Sequence, residues 1–76
     1  MTMKLYTKTI CPKCLWVKSE LKQANLTVEI INIDHEADGM NLIKAAGFTT
    51  VPVLENNGQW FAETAQIIEQ IAALSK

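Results

Sequence analysis

Cys11-Pro12-Lys13-Cys14 is the stretch on which the reading of this chain turns, because it holds the only two cysteines in 76 residues and sets them three apart. One tight pair with no other cysteine serves chemistry, redox or metal, since so short a loop constrains the unfolded chain too little to act as a staple. The spacing suits a helix entrance. There Cys11 faces the unpaired N–H groups of a first turn, and Cys14 sits one turn further in. Those N–H groups favour an anion, and so does a neighbouring cation. A free thiol has a pKa of about 8.5, which such surroundings lower by roughly a unit or more. Lys8 and Lys13 flank the pair and supply the cations.

Working outward, Met3 to Thr7 carries the β-favouring Leu5, Tyr6 and Thr7 and reads as a strand that ends at the cysteine loop. Pro12 fits the first position of the helix that follows, where its missing N–H costs nothing. Cys14, Val17, Leu21 and Ala24 then recur at helical spacing, with Leu15 beside them, and the helix ends near Asn25. Val28 to Ile33 is dense in β-branched residues on both faces and reads as a second, central strand, which completes a βαβ unit. Met40, Ile43 and Ala46 form a short helical face with Leu42 next to it. Gly47 is placed to end this helix, and Gly39 weakens its start. Val51 to Leu54 and Gln59 to Phe61 flank Asn57-Gly58, a strong hairpin signal, so the third and fourth strands are antiparallel neighbours. Thr64 is placed to cap a last helix with the face Ile67, Ile68, Ile71 and Leu74. The order is β-α-β-α-β-β-α, an α/β fold in a single domain over residues 1–76.

Composition narrows the function. The chain is 49% hydrophobic with eight isoleucines, enough for a core without disulfide or metal. Seven lysines, no arginine and a net charge of −1 argue against nucleic acid as a partner. No apolar run has the length of a membrane span or of a signal peptide, so a cytoplasmic monomer is expected. Structural disulfides are rare in that compartment, which again turns the cysteines toward chemistry. Tetrahedral zinc needs four ligands, and the remaining soft candidate is the single His35, far along the chain, so redox is favoured over metal. His35 itself reads as a solvated loop residue, and Trp16 and Trp60 as packing or surface.

The element order, the Cys-Pro-x-Cys at the mouth of the first helix and the proline opening the third strand together resemble the thioredoxin fold, and within it the glutaredoxin family. The most specific stretches are Tyr6-Thr7-Lys8-Thr9-Ile10-Cys11-Pro12-Lys13-Cys14 and Thr49-Thr50-Val51-Pro52. The resemblance implies a four-stranded mixed sheet with three helices and a cis bond between Val51 and Pro52. It also implies thiol–disulfide exchange with Cys11 as the attacking thiol and Cys14 as the resolving one. Lys8, Pro12, Lys13 and Pro52 support the site in this reading, and Thr50, Val51, Pro52, Thr64 and Ala65 bind substrate. No bound cofactor and no metal are implied. Glutathione is the implied co-substrate, and protein disulfides are the implied partners.

Two departures bear on that inference. The family's Gly-Gly followed by Asp, which holds the γ-glutamyl end of glutathione, is replaced by Phe61-Ala62-Glu63-Thr64-Ala65-Gln66. Lys13 stands where many relatives have an aromatic residue. Small glutaredoxin-like electron donors of ribonucleotide reductase, recharged by thioredoxin reductase, also lack the full glutathione site. Their Gly-Phe and Pro-Val pairs are matched here by Gly47-Phe48 and Pro52-Val53. A metal or iron–sulfur binding module using the same two cysteines is the alternative from a different functional class.

Overall fold

The computed structural model describes residues 3–74. Its elements run β1 (Met3–Thr7), α1 (Pro12–Gln23), β2 (Val28–Asn32), α2 (Ala37–Ala45), β3 (Val53–Asn56), β4 (Gln59–Phe61) and α3 (Thr64–Leu74). The four strands form one mixed sheet in the order β2-β1-β3-β4, with β1 parallel to β2, antiparallel to β3, and β3 antiparallel to β4. The expected α/β order is therefore the one observed.

Alternation along the strands divides the core in two. Met3 and Leu5 of β1 and Leu54 of β3 pack against Val17 and Leu21 of α1 and Ile67 and Ile71 of α3. Their neighbours in sequence, Tyr6 after Leu5 and Val53 before Leu54, point the other way and join Ile31 of β2 and Ile43 of α2. Trp60 closes this second cluster by stacking on Tyr6 with ring centroids 5.7 Å apart. Burial pushes the Tyr6 phenol above its ordinary value, and the negative charges of Glu55 and Glu29 push the same way.

β2 is an edge strand, not the central one its composition suggests, and Ile30 on it is 43% exposed. β-branched density reports strand propensity; a place inside the sheet depends on which neighbours the chain later brings to each side. The third strand begins at Val53, because Val51 and Pro52 belong to the loop before it. α2 begins at Ala37, so Gly39 lies inside its first turn. An added Cβ there would stand 2.8 Å from Ile31 Cγ2, so close packing on β2 explains the glycine better than helix weakness does.

Both α1 and α2 end in the same hydrogen-bonded closure. Leu26 N–H donates to the Leu21 carbonyl and Asn25 N–H to that of Lys22, with Asn25 at φ 60°. Phe48 N–H donates to Ile43 and Gly47 N–H to Lys44, with Gly47 at φ 96°. In each case a left-handed residue reverses the chain and returns a hydrophobic side chain to the core. Asn57 and Gly58, at φ 54° and 86°, make the two-residue hairpin turn between β3 and β4.

One buried polar atom has no partner among the described residues, the Thr7 hydroxyl, on a residue 0% exposed. An unpaired buried hydroxyl costs about 1–3 kcal/mol. Thr7→Val keeps the shape and removes that cost, so it is expected to stabilise the fold by about 1 kcal/mol. Calorimetric melting should show a rise in Tm of about 4–8 °C.

Candidate active site

The chain leaves β1 in the buried middle of the sheet and reaches α1 after Lys8-Thr9-Ile10, which places Cys11 at the N-cap of α1. Cys11 has an extended backbone, φ −155° and ψ 94°, and Pro12 occupies the first helical position. Its Sγ accepts the N–H of Cys14 at 3.1 Å. Sulfur thus takes the place that a serine or aspartate oxygen fills at other helix starts. The first turn of α1 contains no acidic residue, so nothing there opposes a negative sulfur.

Cys11 and Cys14 are joined as a disulfide, with Cα atoms 5.2 Å apart. Cys11 is 7% exposed and Cys14 only 1%, so what access exists belongs to Cys11. The loop is held from the far side of the sheet edge. Asp34 accepts the Thr9 N–H at 2.9 Å, Asn32 donates its side-chain amide to the Thr9 hydroxyl at 3.4 Å, and the Asn32 amide oxygen accepts the Asp34 N–H at 2.9 Å. The Thr9 backbone bond holds the Asp34 carboxyl below the usual carboxylate range, aided by the Thr9 side chain and by the charges of His35 and Lys8.

A lowered carboxylate pKa means that this tether is complete above the ordinary value near 4 and is lost as pH falls through the lower folded value. Asp34→Ala should therefore speed exchange of the Thr9 amide at neutral pH, with little change in core amides, as read by hydrogen-exchange NMR. The unaltered protein should show the same loosening only as pH falls below the ordinary carboxylate value.

A cavity of about 870 Å³ opens beside this loop. It gathers Lys8 and Lys13 from either side of Cys11, Thr50, Val51 and Pro52 from the loop before β3, and Thr64 and Ala65 from the start of α3. Seven residues singled out from sequence thus share one concave site, of a size that takes small ligands. The Val51-Pro52 bond is cis, as the resemblance implies. Thr64 is the first residue of α3, and Glu63 precedes it at the capping position expected for Thr64, its carbonyl accepting the Ile67 N–H at 2.9 Å. Glu63, Asp34, Ile33 and Met40 also line the cavity and had not been singled out. The signal for Asp34 was available in Asn32-Ile33-Asp34, a strand end with a side chain able to bond nearby backbone. Among the described residues no three His, Cys, Asp or Glu side chains come together in a way that could hold a metal. No helix among them is long and apolar enough to cross a membrane.

The glutaredoxin family model matches residues 3–61. The chain belongs to the glutaredoxin family. Glutaredoxin-C6 of Oryza sativa subsp. japonica is 37% identical over 59 residues, which cover 72% of this chain and 53% of that protein. The chain therefore spans about half the length of this curated relative. The glutaredoxin-like protein NrdH of Salmonella typhimurium is 28% identical over 54 residues, covering 71% of this chain and 67% of that one. Among solved structures, the glutaredoxin-like NrdH-redoxin of Escherichia coli superposes with a TM-score of 0.86 over 97% of this chain and 95% of its own, at 23% identity. That likeness is one of fold. Cys11 and Cys14 lie within the matched residues, as a pair close enough to form a disulfide.

Proposed function

We propose that the protein is a thiol–disulfide oxidoreductase that reduces protein or mixed disulfides through Cys11 and Cys14. One observation carries the reading: Cys11 Sγ sits at the helix N-cap and accepts the Cys14 N–H, between two lysines in sequence that line the neighbouring cavity. In the reduced protein the Cys11 thiolate attacks one sulfur of a substrate disulfide. A Cys11–substrate disulfide forms, and the other substrate sulfur leaves as a thiolate that takes the proton of the Cys14 thiol. Cys14, as thiolate, then attacks Cys11 Sγ, which releases the second substrate thiolate and leaves the Cys11–Cys14 disulfide. Two electrons have passed to the substrate, and a thiol reductant must return them. No separate base is needed once the thiolate is preformed.

Glutathione is the reductant that the cavity supports. Lys8 and Lys13 offer cations to its carboxylates, Val51 offers backbone to its cysteine, and the α3 start at Thr64 and Ala65 offers N–H groups to its γ-glutamyl end. Glu63 at that same helix start opposes a carboxylate and favours a second reading. In it, thioredoxin reductase recharges the protein, which acts as an electron donor to ribonucleotide reductase. The test is a comparison of reductants on the oxidised protein, glutathione with its reductase against thioredoxin reductase, each followed by NADPH consumption. Turnover with glutathione at least about tenfold the faster supports the first reading, and the reverse ratio supports the second. Turnover with neither overturns the oxidoreductase assignment.

A further inference from the structure

Lys8-Thr9-Ile10 carries the chain from the end of β1 to Cys11 at the N-cap of α1 and belongs to neither element. Such a loop holds its shape only through the partners its backbone finds. β1 and β2 run parallel with Thr7 opposite Asn32, and the Ile33 N–H still donates to the Thr7 carbonyl at 2.8 Å. A ladder continued at that spacing would next bring the Thr9 N–H to a backbone carbonyl of the β2 chain. The chain turns away instead. The Asn32 carbonyl accepts the His35 N–H at 3.0 Å and the Glu36 N–H at 2.9 Å, and the Asp34 carboxylate takes the vacated rung by accepting the Thr9 N–H at 2.9 Å. Asp34 is itself held, because its N–H donates to the Asn32 amide oxygen at 2.9 Å, while the nitrogen of that amide donates to the Thr9 hydroxyl at 3.4 Å. Among the described residues, this turn supplies both hydrogen bonds of Thr9, two positions before the reactive sulfur.

We propose that Asp34 is a positioning residue for Cys11, fixing the loop before the sulfur in the reduced protein, where the Cys11–Cys14 bond no longer does so. The proposal rests on the redox reading of Cys11 and concerns how that sulfur attacks, whichever reductant recharges it. In the oxidised protein the disulfide ties Cys11 to α1, with Cα atoms 5.2 Å apart. Reduction removes that tie. The bonds through Asp34 involve no sulfur and do not depend on it. Attack on a disulfide needs the attacking, attacked and leaving sulfurs in line, and a misplacement of about 1 Å can cost up to about a hundredfold in rate. Charge alone gives an acid no place here. Asp34 lines the cavity together with Lys8 and interacts with it, so its negative charge offsets a cation that favours the Cys11 thiolate. The carboxylate thus works against the thiolate by charge and for it by geometry, and substitution separates the two.

Asp34 is exposed, so substituting it leaves the core untouched. Asp34→Asn keeps an oxygen for the Thr9 N–H and removes the charge, whereas Asp34→Ala removes both. Each prereduced full-length protein is reacted in single-turnover stopped flow with a synthetic peptide carrying an internal disulfide, and separately with iodoacetamide, which needs a thiolate but no alignment of three sulfurs. Both rates are followed across pH. The readout is the limiting rate constant above the Cys11 midpoint, where every molecule holds a thiolate and changes in ionisation drop out. In Asp34→Ala it should fall about tenfold with the disulfide and by less than about twofold with iodoacetamide. In Asp34→Asn both should stay within about twofold of the unaltered protein. The Cys11 midpoint should move down equally in the two variants, since they lose the same charge. A disulfide rate within about twofold in Asp34→Ala overturns the proposal. So does an equal loss in Asp34→Asn, which makes the effect one of charge, or an equal loss with iodoacetamide, which makes it one of general structure. An unaltered protein that is alkylated at Cys11 yet leaves the peptide disulfide intact overturns the redox reading, and the proposal with it.

Discussion

Cys11→Ser is expected to abolish thiol transfer to every disulfide, by at least about a thousandfold, the scale on which loss of a nucleophile is felt. A serine hydroxyl at that helix start still caps the Cys14 N–H, so the fold survives, but it is not ionised near neutral pH and does not attack sulfur. Cys14→Ser should behave differently. It leaves the attacking sulfur and its cap in place, so exchange with a glutathionylated peptide continues within about tenfold, a second glutathione doing the work of the missing thiol. Reduction of a protein disulfide should stall at the Cys11–substrate intermediate, because nothing inside the protein can release it. Mass spectrometry of the Cys14→Ser reaction should show that adduct accumulating, bonded through Cys11.

Leu54→Ala is the second large effect. Leu54 is 0% exposed in the central strand β3, where it packs in the cluster that joins the sheet to α1 and α3. Removing its side chain loses the transfer energy of the buried atoms and leaves a cavity, together about 3 kcal/mol. A small domain has only about 5–15 kcal/mol in all. Thermal unfolding followed by circular dichroism should show Tm lower by about 12–24 °C. The effect should reach the site, because β3 and α3 both follow loops that line the cavity.

The parts of this structure legible in its sequence are those determined over a few residues. Pro12 behind Cys11 marks the start of α1, and Asn57-Gly58 marks the hairpin, because each demands a local backbone geometry that few other residues accept. Five of the seven cavity residues named from sequence, Lys8, Lys13, Thr50, Val51 and Pro52, were legible through the family's two motifs, and Thr64 and Ala65 through the expected start of the last helix. What was not legible depends on distant partners. The edge position of β2 follows from β3 taking the other side of β1, and no feature of Val28 to Asn32 announces it. Gly39 reads locally as a weak helix start, whereas its burial against Ile31 makes it a packing requirement. Asn32-Ile33-Asp34 marks Asp34 as a side chain able to bond backbone, but its partner Thr9 lies 25 positions away, and no local pattern names it. Helical spacing set Leu15 beside the inward face of α1, but its side chain is 65% exposed.

The claim on which the rest depends is that the α1 entrance makes Cys11 an anion and the attacking group. Reduced protein treated with limiting iodoacetamide across pH 3 to 10, then cleaved and mapped by mass spectrometry, measures this directly. The account predicts that Cys11 is alkylated first at every pH, with a rate midpoint at least about one unit below that of a free thiol near 8.5, and that Cys14 is modified only slowly. First labelling at Cys14, or a Cys11 midpoint at the free-thiol value, would contradict it.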